Sequence, residues 1–553
     1  MLRSEEPKNQ PKLEIVLVVV ATVIILAPFI FKPIHLDDPV YIWAALNILK
    51  NPFNFYGSQM NWLGFEAPTY ALMMSPPLVC YYIALVILFF GSSEVALHIA
   101  FIIPAIGVSI GTYFLAKEFS TKPLPAVLVS IVTPAFLVSG TTIMCDVMML
   151  AFWVWAVFFW VRGINRNRPL LLLISAILIF FSIMSKYFGV CLIPLLFLYA
   201  LIQKRRIGHW LFYLIIAASL FLLYEWSTYY LYGECLLFQA SSYAYTTDTS
   251  SSLGEKFLKL VVGLSFTGGG IISILFVSPF LWSRRSLVIG FVSFAVITMM
   301  LYVLVYTGSN FEYFNRAQEG LLVQIVIYAT CGLLIIILSV EDIYRNRDVG
   351  SILLFLWVVG TFIFATYINW TTHIRVILPI VPAFGILTAR RLDRREKGLQ
   401  SCSLNKFYFS LVPALSLALL ISWADYTLAR TAKEAAIKIS LKYAQQGHKI
   451  WFQGHWGFQY YMQIMGAIPL DKSLPAAMPG DLIIVPYTNS NLWDLNEKYA
   501  KPIEILQFQP FKWLTTNSLE ASFYTSMWGP VPYQFGVVPS DTYFVFIVNP
   551  KRT

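Results

Sequence analysis

Fourteen apolar segments precede residue 424, separated by short polar breaks. They run approximately over 13–31, 71–90, 95–115, 123–140, 144–161, 169–184, 188–203, 210–231, 258–281, 286–306, 320–340, 350–369, 376–389 and 406–423. A soluble fold cannot hide that much apolar surface. Charged residues make up only 12% of the chain and hydrophobic ones 58%, against a soluble norm of about 25% charged. Most of the chain must therefore face lipid. The first run, Leu13 to Phe31, lacks a small-x-small cleavage pattern after it and is expected to stay as a membrane helix.

The breaks differ in basic content, and this sets the topology. Basic clusters fall at Lys117/Lys122, Arg162/Arg166/Arg168, Lys204/Arg205/Arg206, Arg284/Arg285, Arg345/Arg347 and Arg390/Arg391/Arg394/Arg395/Lys397. The positive-inside rule places all of them in the cytoplasm, together with Arg3, Lys8 and Lys12. From Lys117 onward, two segments separate each pair of basic breaks. Between Lys12 and Lys117 there are three, so one does not cross. The weakest is 71–90, which contains Pro76-Pro77; the residues after that pair would span roughly 21 Å of a bilayer core about 30 Å thick. It reads as an interfacial helix. The expectation is thirteen spanning helices plus interfacial ones, a cytoplasmic N-terminus, an outer first loop over 32–94 and an outer tail over 424–553. In this tail, Lys449 to Gln453 and Asp481 to Pro486 look like buried strands, with a short helix from Trp456 to Met465 between them. A small α/β domain follows the membrane domain of 1–423.

The net charge of +10 is thus explained by inner loops and does not call for a nucleic-acid partner. The six cysteines are scattered, with no CxxC or Cys/His spacing, so neither a disulfide framework nor a zinc site is expected. No phosphate-cradling G-x-x-x-x-G-K-[ST] motif is present, which argues against nucleotide hydrolysis.

The few charges on the outer side carry the candidate chemistry. His35-Leu-Asp37-Asp38-Pro-Val-Tyr41 places two carboxylates directly after the first helix. One can serve as general base, and an Asp before Pro39 equally suits a helix cap. Asp146 lies at the outer mouth of a helix and is the one charge between Lys122 and Arg162. Lys186 runs against the positive-inside trend, so a headgroup or substrate phosphate is expected near it, or a snorkelling position. Arg375 is a second outer cation at a helix start. Glu66, Glu312 and Arg316 are possible substrate-binding residues. Acids and cations gathered at helix mouths suit transfer from a phosphate-linked donor: the acid activates the acceptor and the cations neutralise the departing phosphate.

The order of these features resembles a known family. Asp37-Asp38, Ser75-Pro-Pro-Leu78, Asp146, Ser185-Lys186 and Arg375-Val-Ile-Leu-Pro379, set on this helix pattern, look like the GT-C glycosyltransferases. The likeness is to the family 39 and dolichyl-phosphate-mannose protein mannosyltransferase group, which includes lipid A aminoarabinose and rhizobial lipopolysaccharide sugar transferases. The resemblance implies a polyprenyl-phosphate sugar donor, a lipid, glycan or protein acceptor, and a multi-pass protein of a bacterial inner membrane. It assigns Asp37 as base, Asp146 to shaping the site, and Lys186 and Arg375 to the donor phosphate. No cofactor is expected, and a divalent metal is left open. The uncharged Met74-Ser75-Pro76-Pro77 departs from the lipid A branch and leaves the acceptor open. The alternatives are a transporter or lipid flippase, or a non-catalytic envelope scaffold.

Overall fold

The computed structural model describes residues 10–73, 75–247, 253–283, 319–397, 403–473 and 477–550, with single positions between 285 and 296. The chain is a multi-pass helical membrane protein with a small sheet near its C-terminus. Among the described residues, eight helices are long and apolar enough to cross a membrane, or ten if each of two bent pairs is one span. In one pair, Pro123–Ile131 and Pro134–Gly140 meet at 65°. Pro134 breaks the hydrogen-bond ladder there, and Thr133 caps the second piece by accepting from Phe136 N–H at 3.2 Å. In the other, Gly254–Gly270 and Ser273–Leu281 meet at 84° after a Gly-Gly-Gly run.

Three of the thirteen expected crossings fall outside that tally. Helix Pro169–Ser185 has 17 residues. Segment 376–389 is split between the short helix Ile374–Ile377 and helix Ile380–Lys397, whose second half carries the basic cluster. Segment 286–306 lies largely outside the described residues. The proline-led segment forms helix Leu78–Phe90, whose 13 residues rise about 20 Å, too short to cross alone.

Helices approach closely where side chains are absent. A Cβ on Gly268 would lie 1.8 Å from the Tyr328 carbonyl oxygen, and one on Gly332 would lie 2.1 Å from that of Leu264. Small residues at such crossings replace the hydrophobic drive that lipid does not supply.

One continuous helix, Leu404–Ala444, runs through the boundary expected at 423/424. Its 41 residues reach about 60 Å. The apolar first half ends near residue 423, but nothing in the sequence there breaks a helix, so the polar second half continues the rod. Beyond it, strand Ile450–Phe452, helix Trp456–Ile464 and strand Leu482–Pro486 form where the sequence places them. The five-stranded sheet runs in the spatial order Ile468–Pro469, Ile450–Phe452, Leu482–Pro486, Asp541–Val548, Ala500–Phe508. Its first two pairings are parallel and its last two antiparallel. The sheet has a small core of its own around Trp451, Ile483 and Val548. Residues Phe523, Tyr524, Val531 and Tyr533 instead join the core of the helical bundle, where Tyr533 donates to the Gly269 carbonyl at 3.0 Å. The tail is thus partly woven into the membrane domain.

Candidate active site

Four side chains from four distant segments meet at the bundle end that the charge pattern assigns to the outside. Leu36 has a left-handed φ of 44°, uncommon for a bulky residue, and this kink starts helix Asp38–Lys50. Asp37 occupies the N-cap position yet makes no capping hydrogen bond with its side chain. Its Oδ2 accepts instead from Arg375 Nη2 at 3.1 Å. The Asp37 side chain is 37% exposed, so the acid is both held and reachable.

Asp146 lies in the first turn of helix Cys145–Arg166 and is 1% exposed. A buried carboxylate needs partners, and two cations supply them. Lys186, at the end of helix Pro169–Ser185, donates to Oδ1 at 2.6 Å. Arg375 Nη1 stands 3.9 Å from Oδ2 and donates to Met144 Sδ at 2.7 Å. Arg375 therefore bridges the two acids. Asp37 and Asp146 hold it firmly charged, outweighing the opposing effect of burial.

The tail fixes the arginine. Ile374 N–H donates to the Phe523 carbonyl at 3.2 Å, and Ser526 N–H to the Thr372 carbonyl at 2.8 Å. This short zipper sets Tyr524 beside Arg375, whose guanidinium lies 5.6 Å from the ring centroid. His373, one residue before the helix start, is buried with Nδ1 unpartnered. Burial, with Arg375 and Lys186 adding to it, drives its imidazole well below the ordinary value, so it is neutral. Tyr41 completes the floor, its hydroxyl 3.2 Å from Cys145 Sγ.

Asp38, expected as a catalytic acid, is placed as a clamp between two backbone segments. It is fully buried and accepts from His35 N–H at 3.0 Å and Ile143 N–H at 2.9 Å. It thereby pins the loop after the first helix to the turn before Asp146. The cap reading thus fits Asp38 in function, while Asp37 is left for chemistry. Glu66 also moves away from the cluster. Its side chain is exposed in the hairpin Gln59–Asn61/Glu66–Pro68, and its N–H donates to Asp471 of the tail at 3.2 Å. Glu312 and Arg316 lie outside the described residues.

A second ionic group was not anticipated. Lys32 and Asp425 are both fully buried and pair at 2.5 Å. Asp425 also accepts from Thr516 Oγ1 at 2.6 Å and from Tyr524 Oη at 2.9 Å, and His35 Nε2 stands 3.6 Å away. This network joins the loop after the first helix, the long helix and the tail. Among the described residues, no group of three or more His, Cys, Asp or Glu side chains is placed to hold a metal ion.

With this geometry in place, the comparisons can be set beside it. The family model described as dolichyl-phosphate-mannose-protein mannosyltransferase matches residues 74–229. That stretch carries the Ser75-Pro-Pro-Leu78, Asp146 and Ser185-Lys186 motifs on which the sequence resemblance rests. Among solved structures, the chain is similar to the apo oligosaccharyltransferase of Archaeoglobus fulgidus, with 15% identity, a TM-score of 0.48 and coverage of 85% of this chain and 65% of that one. It thus spans a little under two thirds of that relative's length. It is also similar to ArnT from Cupriavidus metallidurans bound to undecaprenyl phosphate, with 13% identity, a TM-score of 0.41 and coverage of 85% and 93%. A third similarity is to the arabinofuranosyltransferase AftD from Mycobacteria, with 11% identity, a TM-score of 0.39 and coverage of 100% and 41%. No curated protein sequence matches the chain significantly.

Proposed function

We propose that this chain is a membrane glycosyltransferase that moves a hexosyl or pentosyl group from a polyprenyl-phosphate donor to a lipid, glycan or protein acceptor. The observation that carries this reading is Arg375 suspended between two acids of unequal exposure, with Lys186 beside it. The family-model match over 74–229 supports the same chemistry.

In this reading Asp37 takes the proton of the acceptor hydroxyl. The freed oxygen attacks the anomeric carbon, and the bond from that carbon to the phosphate oxygen breaks with its electron pair leaving on the polyprenyl phosphate. Arg375 and Lys186 neutralise that departing charge. Asp146 keeps both cations in place and shapes the site. The leaving group departs without a general acid, and the two cations do the work that a metal would otherwise do. The inner position of the basic clusters supports transfer on the outer face of a bacterial inner membrane, with the N-terminus cytoplasmic and residues 424–553 outside.

The test is turnover by the purified full-length chain of undecaprenyl-phosphate-linked hexoses and pentoses. Free undecaprenyl phosphate should appear with wild type and fall away with Asp37→Asn. Undiminished turnover in a well-folded Asp37→Asn protein overturns Asp37 as base. Mass spectrometry of envelope glycolipids and glycoproteins, with and without the chain, then identifies the acceptor.

A further inference from the structure

A seam between the first outer loop and the tail carries unspent polar chemistry. Trp62, next to strand Gln59–Asn61, lies with its ring 5.4 Å from that of His455. Trp456 follows and faces Trp528 at 5.9 Å. All three tryptophans are only partly buried. Trp456 has a φ of 64°, a left-handed conformation that a bulky residue adopts only under constraint from its surroundings. The next residue, Gly457, sits where a Cβ would meet the Ile34 carbonyl oxygen at 2.2 Å. This close approach ties the seam to the loop that presents Asp37.

Three buried polar atoms along the seam have no partner: Asn61 Oδ1, Gln453 Nε2 and His455 Nε2. Their characters follow from their neighbours. Gln459 donates through Nε2 to the Asn61 carbonyl at 2.7 Å, so its Oε1 faces His455 Nδ1 at 2.9 Å. The imidazole proton is therefore on Nδ1, and Nε2 is a bare acceptor. Burial pushes this imidazole down to about 4, which keeps it neutral. Asn61 spends its Nδ2 on the Leu470 carbonyl at 3.3 Å, leaving Oδ1 as a second acceptor. Gln453 receives Trp493 N–H on Oε1 at 3.0 Å, leaving Nε2 as a donor. Leaving such groups unpaired costs stability, and apolar packing alone would not call for them.

Two acceptors and a donor, on a stretch that also carries Trp62 and Trp456, match a ring that bears several hydroxyls, whose C–H face stacks on an indole while its O–H groups both donate and accept. We propose that this seam is a carbohydrate subsite that holds the glycan of the acceptor. Calling its ligand the acceptor rests on the transferase reading above; its chemistry as a saccharide site does not. The site implies a glycolipid or glycan acceptor in preference to a bare peptide.

The test is titration of the purified full-length protein in detergent with mannotriose, maltotriose and chitotriose, following tryptophan emission. At least one should give a saturable change. Trp62→Ala, Trp528→Ala and His455→Phe should each weaken binding by about tenfold. If Trp62→Ala fails to fold, Trp62→Phe, with its smaller ring, should still weaken binding by about threefold. Absence of saturable binding by all three saccharides overturns the proposal, as do variants that bind like wild type. Saturation by a Ser/Thr-rich peptide in place of any saccharide overturns it too. Saccharide binding without sugar transfer would sink the transferase reading and leave the subsite standing; transfer without saccharide binding would do the reverse.

Discussion

Arg375 and Arg390 lie 15 residues apart, toward opposite ends of one helical stretch, a rise of roughly 22 Å. Each is set against two aspartates, yet they differ in what they leave over. Arg390 commits every nitrogen: Nε to Asp342 at 3.1 Å, Nη2 to Asp348 at 2.8 Å and to Ser351, and Nη1 to the Phe119 carbonyl at 3.4 Å. Asp348 in turn caps helix Val349–Ile363. Around it, Arg391 and Arg395 reach the carbonyls of Leu281, Phe280 and Trp282 at a helix C-terminus, where cations are favoured. At the Arg375 end, Arg375 Nε and Asp146 Oδ2 are buried without hydrogen-bond partners, and Asp37 is part-exposed. Asp342 Oδ2 beside Arg390 is also buried without a hydrogen bond, but every nitrogen of that arginine is committed and the group holds helices together. A cluster with a spare arginine donor and a part-exposed acid is built to take a charged ligand.

Substitutions at both ends can break that contrast, and the largest effect on transfer should come from Asp37. Asp37→Asn keeps the shape and removes the base, so turnover should fall by about 10²–10⁴, while thermal stability stays close to wild type. At the Arg390 end, Asp342→Asn should leave turnover per folded molecule alone and lower stability, because it weakens a buried pair. If both variants lost turnover equally, the two clusters would not differ in kind. The next effect comes from the arginines themselves. Lysine cannot span several partners as a guanidinium does. Arg375→Lys should cut turnover by about 10–10² with little loss of stability. Arg390→Lys should destabilise by about 2–3 kcal/mol with turnover per folded molecule unchanged, measured by thermal unfolding beside the turnover assay. Lys186→Ala is expected to be milder, raising the donor KM by about tenfold, because Arg375 remains beside Asp146. A change in kcat alone would instead place Lys186 in the chemical step.

The same contrast explains what the sequence could reveal. Asp37, Asp146, Lys186 and Arg375 stand out because an ionisable residue at the end of an apolar segment is rare enough to be noticed alone. The membrane helices are legible for a similar reason, since composition over some twenty residues suffices. The Lys32–Asp425 pair is illegible: its partners are 393 residues apart, Lys32 looks like an ordinary flanking lysine, and Asp425 sits in what reads as an exposed amphipathic turn. The long helix hid the domain boundary, because hydropathy reports where lipid ends and is silent on where a helix ends. Tyr524 is illegible too: its place beside Arg375 depends on a zipper between residues 371–374 and 523–526, which no local pattern encodes.

Asp38 separates position in the cluster from a role in chemistry, and here the effect on transfer should be smallest. Its neighbour Asp37 shares its charge and nearly its address, yet Asp38 spends both oxygens on backbone N–H groups. Burial pushes its carboxyl up to about 7, against Lys32 and those two donors, which pull it down. Between the ordinary carboxylate value near 4 and about 7, the folded chain therefore binds a proton that the unfolded chain has released. The stability from this group is full below pH 4 or so and declines as pH rises to about 7, after which the loss is constant. From pH 5 to pH 8 wild type should lose on the order of 2–3 kcal/mol through this group. Asp38→Asn should show a correspondingly flatter profile, with turnover per folded molecule preserved. Parallel stability profiles would mean that Asp38 stays ionised in the fold and that its two N–H donors outweigh its burial. A collapse of turnover in folded Asp38→Asn would return it to the catalytic group, and the division of labour between the paired acids would fail.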